Sequence, residues 1–292
     1  MINYKNCLIN KKKKAISVSW HNKDTLDYWR HERMINKVKP IINYNNKATW
    51  LTIGDGRYGS DGNILKNLGA KNIFCSDVSI ELLALAKKKK LIKKYSKQNA
   101  EDLTFKSSTF DYVFCKESFH HFSKPYLALY EMFRVSKKGV ILIEPSDEII
   151  EKGFFNIIYK FIRFLINQTN SGDGFEEVGN YVYKISKREM SKFLLGMNYR
   201  YLAIHGLNDA YSDGIEFVNI NCNKLESVKK KIVIKGKIFI KNFLCWIGIM
   251  KPALMMCILF KDIPSSKLLA LLKYHGWQIN EFKKNPFFNK VI

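Results

Sequence analysis

Gly54-Asp55-Gly56-Arg57-Tyr58-Gly59 spaces three glycines as G-x-G-x-x-G, and Asp77 follows 21 residues beyond Gly56. Glycine permits a tight bend and lets a ligand approach the backbone. A carboxylate at the end of the next strand can accept both hydroxyl protons of a ribose. Together they point to a nucleoside-containing cofactor. Each also has a plainer reading: a tight turn needs glycines with or without a ligand, and Asp77-Val78-Ser79 equally suits a helix N-cap. Further along stand Lys116, Glu117, His120, His121 and Glu144. Histidine suits general-base work near neutral pH. The His pair also reads as packing, and Glu144 before Pro145 as a structural acid.

These residues need strands and turns to position them. Trp50–Ile53 reads as a buried strand running into the glycines, Asn72–Ser76 as one running into Asp77, and Phe110–Cys115 and Val140–Ile143 as two more. Between them, Ile64–Leu68 begins a helix stopped by Gly69, Ile80–Lys90 forms another, and Pro125–Val135 a third ended by Gly139. Leu103–Phe105 reads as a turn and sheet edge. Upstream, Asp24–Asp27 opens a helix whose apolar face runs to Pro40. Such alternation predicts an α/β fold: a doubly wound, mostly parallel Rossmann-like sheet with helices on both faces.

Beyond Pro145 we expect a helical lid insertion after the fifth strand. The aromatic segment Phe154–Ile166 reads as a core-packed helix, as a lid over an acceptor pocket, or as an amphipathic patch on a membrane. Gly172–Gly174 is a turn. Ser186 and Glu189 have capping-box spacing and open a helix to about Gly196. Tyr199–His205, Ala253–Phe260 and Trp277–Phe282 read as strands, and Lys224 to about Ile249 as a long helix. The run Phe243–Phe260 is broken by Lys251 and Pro252, so it reads as a buried helix end followed by a buried strand, not as a membrane span of about 20 apolar residues. The simplest division is a polar N-terminal arm, 1–22, and one domain, 23–292. That domain has a cofactor half at about 46–146 and an acceptor, lid and C-terminal half at about 147–292.

The chain has 292 residues, 47% of them apolar, and a formal net charge of +23. Such a charge suits nucleic acid or an anionic membrane. The excess is lysine, in runs at 11–14, 87–90 and 229–231, whereas arginine is the better residue for bidentate phosphate recognition. A nucleic-acid partner therefore stays open but disfavoured, and peripheral membrane contact stays open. Six cysteines form no C-x-x-C pair and have no histidine at metal spacing, so no metal is expected. Free cysteines and an N-terminus without a secretory h-region suit the reduced cytoplasm.

Five blocks in order resemble the class I methyltransferases of the small-molecule type, which use S-adenosylmethionine (SAM). They are Trp50–Gly56, Ser76–Leu83, Asn99–Phe105, Phe110–Cys115 with Ser118–Phe122, and Tyr130–Val135 with Gly139–Pro145. The resemblance implies that Gly54, Asp55, Gly56 and Gly59 form the loop under the methionine part of SAM. It implies that Asp77 holds the ribose with Val78 beside the adenine, that Asn99, Ala100 and Glu101 border the adenine, and that Cys115 and Lys116 lie under the cofactor. Lys116, Glu117, His120 and His121 are the catalytic candidates. Two positions depart from the family pattern: Thr52 stands where an acid is common, and Asn99 where the adenine-side acid is. The resemblance implies methyl transfer to a small molecule or a surface-glycan precursor. The alternatives are an RNA methyltransferase, an NAD-dependent oxidoreductase and a non-catalytic Rossmann binding protein.

Overall fold

The computed structural model describes residues 19–147, 174–175 and 181–287. Chain order begins with helix α1 (Leu26–Ile35), a 3-10 turn (Asn36–Val38) and helix α2 (Lys39–Tyr44). Then come β1 (Thr49–Ile53), α3 (Ser60–Asn67), β2 (Asn72–Asp77), α4 (Glu81–Lys88), β3 (Lys94–Lys97) and β4 (Phe110–Lys116). A 3-10 turn (Phe119–His121) leads to α5 (Pro125–Val135) and β5 (Ser136–Pro145). The last part holds α6 (Lys187–Gly196), β6 (Tyr201–Leu207), a 3-10 turn (Ile215–Phe217), α7 (Leu225–Trp246), β7 (Leu254–Phe260), α8 (Ser266–Tyr274) and β8 (Gln278–Glu281).

The strands form one sheet in the order β3-β2-β1-β4-β5-β7-β6-β8. β1 to β5 pair in parallel, while the β5–β7, β6–β7 and β6–β8 pairs are antiparallel. The strand order reverses at β1, which pairs with β2 on one side and β4 on the other. Crevices form at such a switch point beyond the strand C-termini, where the flanking crossovers leave to opposite faces.

Two apolar clusters sandwich the sheet. Trp50, Tyr112, Phe114, Ile141, Met256 and Ile258 face α1, α2, α3 and α8. Their neighbours in sequence, Leu51, Val113, Cys115, Leu142, Met255 and Cys257, face α5 and α6. Period-two alternation therefore buries both faces, which is why the central strands read as continuous apolar runs. Each large side chain so enclosed contributes about 1.5–3 kcal/mol by leaving water.

Several expectations need correction. Pro40 does not end the first helical region; it stands in the first turn of α2, where its missing N–H costs nothing. Gly139 lies four residues beyond α5, inside β5; a Cβ there would stand 2.4 Å from the Leu259 carbonyl oxygen. The edge strand is β3, not Leu103–Phe105. Helix α8 had no counterpart in the sequence reading. The end of α7 is not buried: Phe243 and Trp246 lie open to solvent. The expected arm (1–18 of it) and the Phe154–Ile166 segment lie outside the described residues. Among the described residues no helix is long and apolar enough to cross a membrane.

Candidate functional site

Ile53 pairs with Ser76, so the glycine bend and Asp77 leave adjacent strands side by side. Gly54 adopts φ +71°, and a Cβ there would meet the Ser118 side chain at 2.4 Å. A Cβ on Gly56 would stand 2.8 Å from Asp77 Oδ2, so only glycine lets the bend lie against that carboxylate. Gly59, at φ +60°, precedes α3. Asp77 is half-buried and accepts the Ser79 N–H at 2.8 Å. Burial pushes its pKa above the ordinary carboxylate value against the opposing pull of the Ser79, Gly56 and Val78 N–H groups. Val78 beside it is exposed.

A charged cluster fills the other side of the bend. A cavity of about 50 Å³ is lined by Gly54, Asp55, Arg57, Ser60, Asp61, Lys116, Glu117 and Ser118. Lys116 Nζ lies 2.7 Å from Glu117 Oε2 and 3.9 Å from Asp61 Oδ1. Burial works against its charge, but Glu117 and Asp61 outweigh it and raise its pKa. Glu117 sits at φ +47°, a strained conformation for a residue with a side chain. Burial would raise its pKa, but Lys116, His31 and Arg57 hold it well below the usual range. From α1, Asp27 Oδ2 takes Arg57 Nη2 at 2.8 Å, and His31 Nε2 lies 3.1 Å from Arg57 Nη1. His31 Nδ1 lies 3.5 Å from Glu117 Oε2. Burial, Lys116 and Arg57 lower the His31 pKa against the opposing pull of Asp27 and Glu117. A larger cavity, about 390 Å³, is lined by Gly62, Lys66, Gly69, Ala70, Lys71, Ile73, Cys75, Leu91, Ile92 and Lys93, and shares no residue with the crevice.

Residues 51–143 match the family model described as a methyltransferase domain. The match spans about a third of the chain. No functionally curated protein matches the chain. Its structure is similar to that of a SAM-dependent methyltransferase from Thermotoga maritima (14% identity, TM-score 0.46, 85% of this chain and 99% of that one). It is also similar to SAM-dependent methyltransferases from Archaeoglobus fulgidus (14%, 0.47, 79% and 94%) and Aquifex aeolicus (24%, 0.36, 47% and 77%).

The remaining expected site residues take varied positions. Asp55 points away from the crevice into the start of α3. It accepts the Asp61 and Gly62 N–H groups, each at 3.0 Å, and the Thr52 hydroxyl at 2.8 Å. Burial, with Asp61 beside it, pushes its pKa up to about 8. Thr52, at the position where the family often has an acid, is thus committed to the loop. Asn99 is exposed, and its side-chain carbonyl accepts the Glu101 N–H at 3.1 Å. Glu101 in turn accepts the Lys124 N–H at 2.8 Å. Ala100 is buried, and Cys115 is enclosed in the core, where burial raises its thiol pKa far above normal.

Glu144 has no exposed surface. Its Oε1 accepts the Ser118 and Phe119 N–H groups at 3.0 and 2.9 Å, and its Oε2 lies 2.5 Å from His120 Nδ1. It therefore builds the turn that carries His120. The His121 ring stacks obliquely on His120 with centroids 4.2 Å apart. As site residues, Asp27, His31, Arg57, Asp61 and Ser118 escaped the sequence reading. Ser118 donates to the Gly54 carbonyl at 3.1 Å and ties β4 to the bend. Asp27, Arg30 and His31 recur at i, i+3 and i+4, one face of a helix, and that polar face was the available signal.

Proposed function

We propose that this protein is a class I SAM-dependent methyltransferase that moves the SAM methyl to a nucleophilic atom of a small molecule or surface-glycan precursor. In this reading Gly54, Gly56 and Gly59 shape the cofactor loop, with Asp55 holding it shut against α3. Asp77 accepts the ribose hydroxyls, and Val78, Asn99, Ala100 and Glu101 border the adenine. Cys115 packs beneath them. The cluster fits the zwitterionic methionine end: Arg57 and Lys116 suit its carboxylate, and Glu117 and Asp61 its ammonium. Bound SAM supplies a methyl activated on sulfonium sulfur, and the protein's main contribution is alignment. His120 acts as the base, taking a proton from the acceptor. Glu144 fixes the ring orientation through Nδ1. Lys116 and Glu117 hold the charge balance at the strand end, and His121 supports the His120 ring.

One observation carries the cofactor assignment: a Cβ on Gly56 would touch Asp77, so bend and carboxylate form one cradle. The rim bears on the acceptor. Arg57 and Lys116 are more than offset there by Asp27, Asp61 and Glu117, so these groups give the site no net positive charge. An RNA substrate would call for a basic rim and a steep salt dependence. The free cysteines among the described residues support a reducing, cytoplasmic setting, and we treat 23–292 as one domain. The test uses methyl-labelled SAM with a cell extract. Label in a nuclease-resistant, low-molecular-weight or glycan-precursor fraction supports the reading, whereas label in RNA overturns the acceptor assignment. A cofactor that fails to raise Tm overturns the site assignment, because a ligand selective for the folded state stabilises it.

A further inference from the structure

Helix α7 runs 22 residues, about 33 Å, and among the described residues it packs along only one side. Ile234 and Ile238 face inward, onto Leu26, Ala210, Ile215 and Val218. The opposite side is also apolar. Ile232 is 65% exposed, Phe239 71%, Ile240 57%, Phe243 48% and Trp246 81%. These positions recur at three, four and seven residues, so they form a continuous outward stripe. Gly236 lies in the same stripe with nothing within 4 Å of where a Cβ would stand. Patches of this kind on a soluble protein mark a contact surface.

Charge identifies the contact. The helix carries six lysines and one acid, Glu226. Lys231 and Lys241 turn inward onto backbone carbonyls, at 2.9–3.0 Å and 2.6 Å. Lys229, Lys235 and Lys237 are exposed beside the stripe. Aromatic and aliphatic side chains bounded by lysines match the two layers of an anionic lipid surface: acyl chains for the stripe, headgroups for the ammonium groups. A second copy of the chain would set the same lysines against each other in an isologous contact. Nucleic acid would leave the apolar stripe without a counterpart.

We propose that α7 is an interfacial anchor that lays Ile232, Phe239, Ile240, Phe243 and Trp246 into an anionic membrane surface. The anchor lies on the working side of the sheet. The segment that contains α7 joins the end of β6 to the start of β7, and Leu207 and Leu254 pair with each other while Leu254 pairs with Pro145, at the C-terminal end of the parallel strands. A docked membrane therefore meets the same sheet edge as the crevice, where lipid-borne acceptors would be within reach. The anchor itself does not depend on the acceptor.

The test is flotation of the full chain with phosphatidylcholine vesicles, with or without phosphatidylglycerol. We expect flotation with the anionic vesicles only. Partition should weaken at least tenfold in Phe239→Asp/Phe243→Asp/Trp246→Asp, with Tm unchanged. Lys229→Gln/Lys235→Gln/Lys237→Gln should lose the dependence on anionic lipid. Failure of the wild type to float with anionic vesicles overturns the proposal, as does equal flotation of the aspartate variant. Concentration-dependent dimers that this variant abolishes, without vesicle binding, would assign the face to a second copy. A large fall in its Tm would mean that the chain's own residues cover the face. Either result overturns the proposal.

Discussion

Replacing Asp77 by alanine tests the cradle most directly. Its carboxylate is half-buried beside Gly56, and the Ser79 N–H occupies Oδ1 at 2.8 Å. Two ribose hydroxyls donating to a carboxylate form charge-assisted bonds, each worth about 1.5–3 kcal/mol. Some of that is recovered by water entering the vacated space. A net loss of about 1.5–3 kcal/mol is expected, which is about 10- to 100-fold in affinity. Asp77→Asn retains an acceptor and should lose less, about tenfold. The assay is calorimetric titration with S-adenosylhomocysteine, and the Tm of the apo variants checks the fold. The carboxylate's raised pKa adds a second readout. It must be ionised to accept both hydroxyls, so wild-type affinity should fall as pH drops through a value above the ordinary 3.8. The alanine variant should lack that dependence. Affinity within threefold of wild type in a folded Asp77→Ala protein would refute the reasoning.

Other substitutions probe the neighbouring parts. Gly56→Ala places a Cβ 2.8 Å from Asp77 Oδ2, so cofactor affinity should drop at least tenfold by titration with little change in Tm. Glu144→Ala strands the buried Ser118 and Phe119 N–H groups and should cost about 2–4 kcal/mol in denaturant unfolding. His120→Ala should lower kcat about 100-fold while cofactor affinity is retained; equal loss of both would deny it the role of base. The folded-state pKa of Asp55 is raised, so its stabilising contribution is complete below the unfolded value and fades as pH rises through about 8. Asp55→Asn should flatten that fall of Tm on the alkaline side. Asp27 and Glu117 have the opposite sign. Their lowered pKa values give stability that is present above the unfolded carboxylate values and lost as pH falls through the folded ones, and Asp27→Asn should make the acid limb of the Tm profile shallower.

The legible parts of the fold were those whose information is local. β1, β2, β4 and β5 each hold a short apolar run that stops at a glycine or a charged residue, and the bend and Asp77 are fixed by the strands immediately before them. β3 is Lys-Tyr-Ser-Lys, paired within the sheet to β2 alone, and lysines of this kind protect a sheet edge without leaving a hydrophobic pattern. Helix α7 misled the sequence reading for the opposite reason. It is apolar on two sides, and hydrophobicity all round normally signals burial. Only the fold shows that no described residue packs on one side.

The charged cluster could not be read from the sequence, because no stretch of sequence contains it. Asp27 and His31 come from α1, Arg57 from the bend, Asp61 from α3, and Lys116 and Glu117 from the end of β4. Lys116 and Glu117 stand out as strand-end candidates, but Asp27, His31, Arg57 and Asp61 each read alone as an ordinary polar or charged position. Brought together, they explain details that the motif does not. Arg57 fills a variable position of the glycine pattern, yet Asp27 pins it, so α1 braces the bend from outside the parallel sheet. Glu117 holds a strained backbone because Lys116, His31 and Arg57 all draw its carboxylate into the cavity. Strain maintained by so many partners, at a strand end beside the switch point, indicates that the cluster's position matters to the site as well as to stability. If it served stability alone, Asp27→Asn would lower Tm and leave cofactor affinity untouched. We expect both to fall.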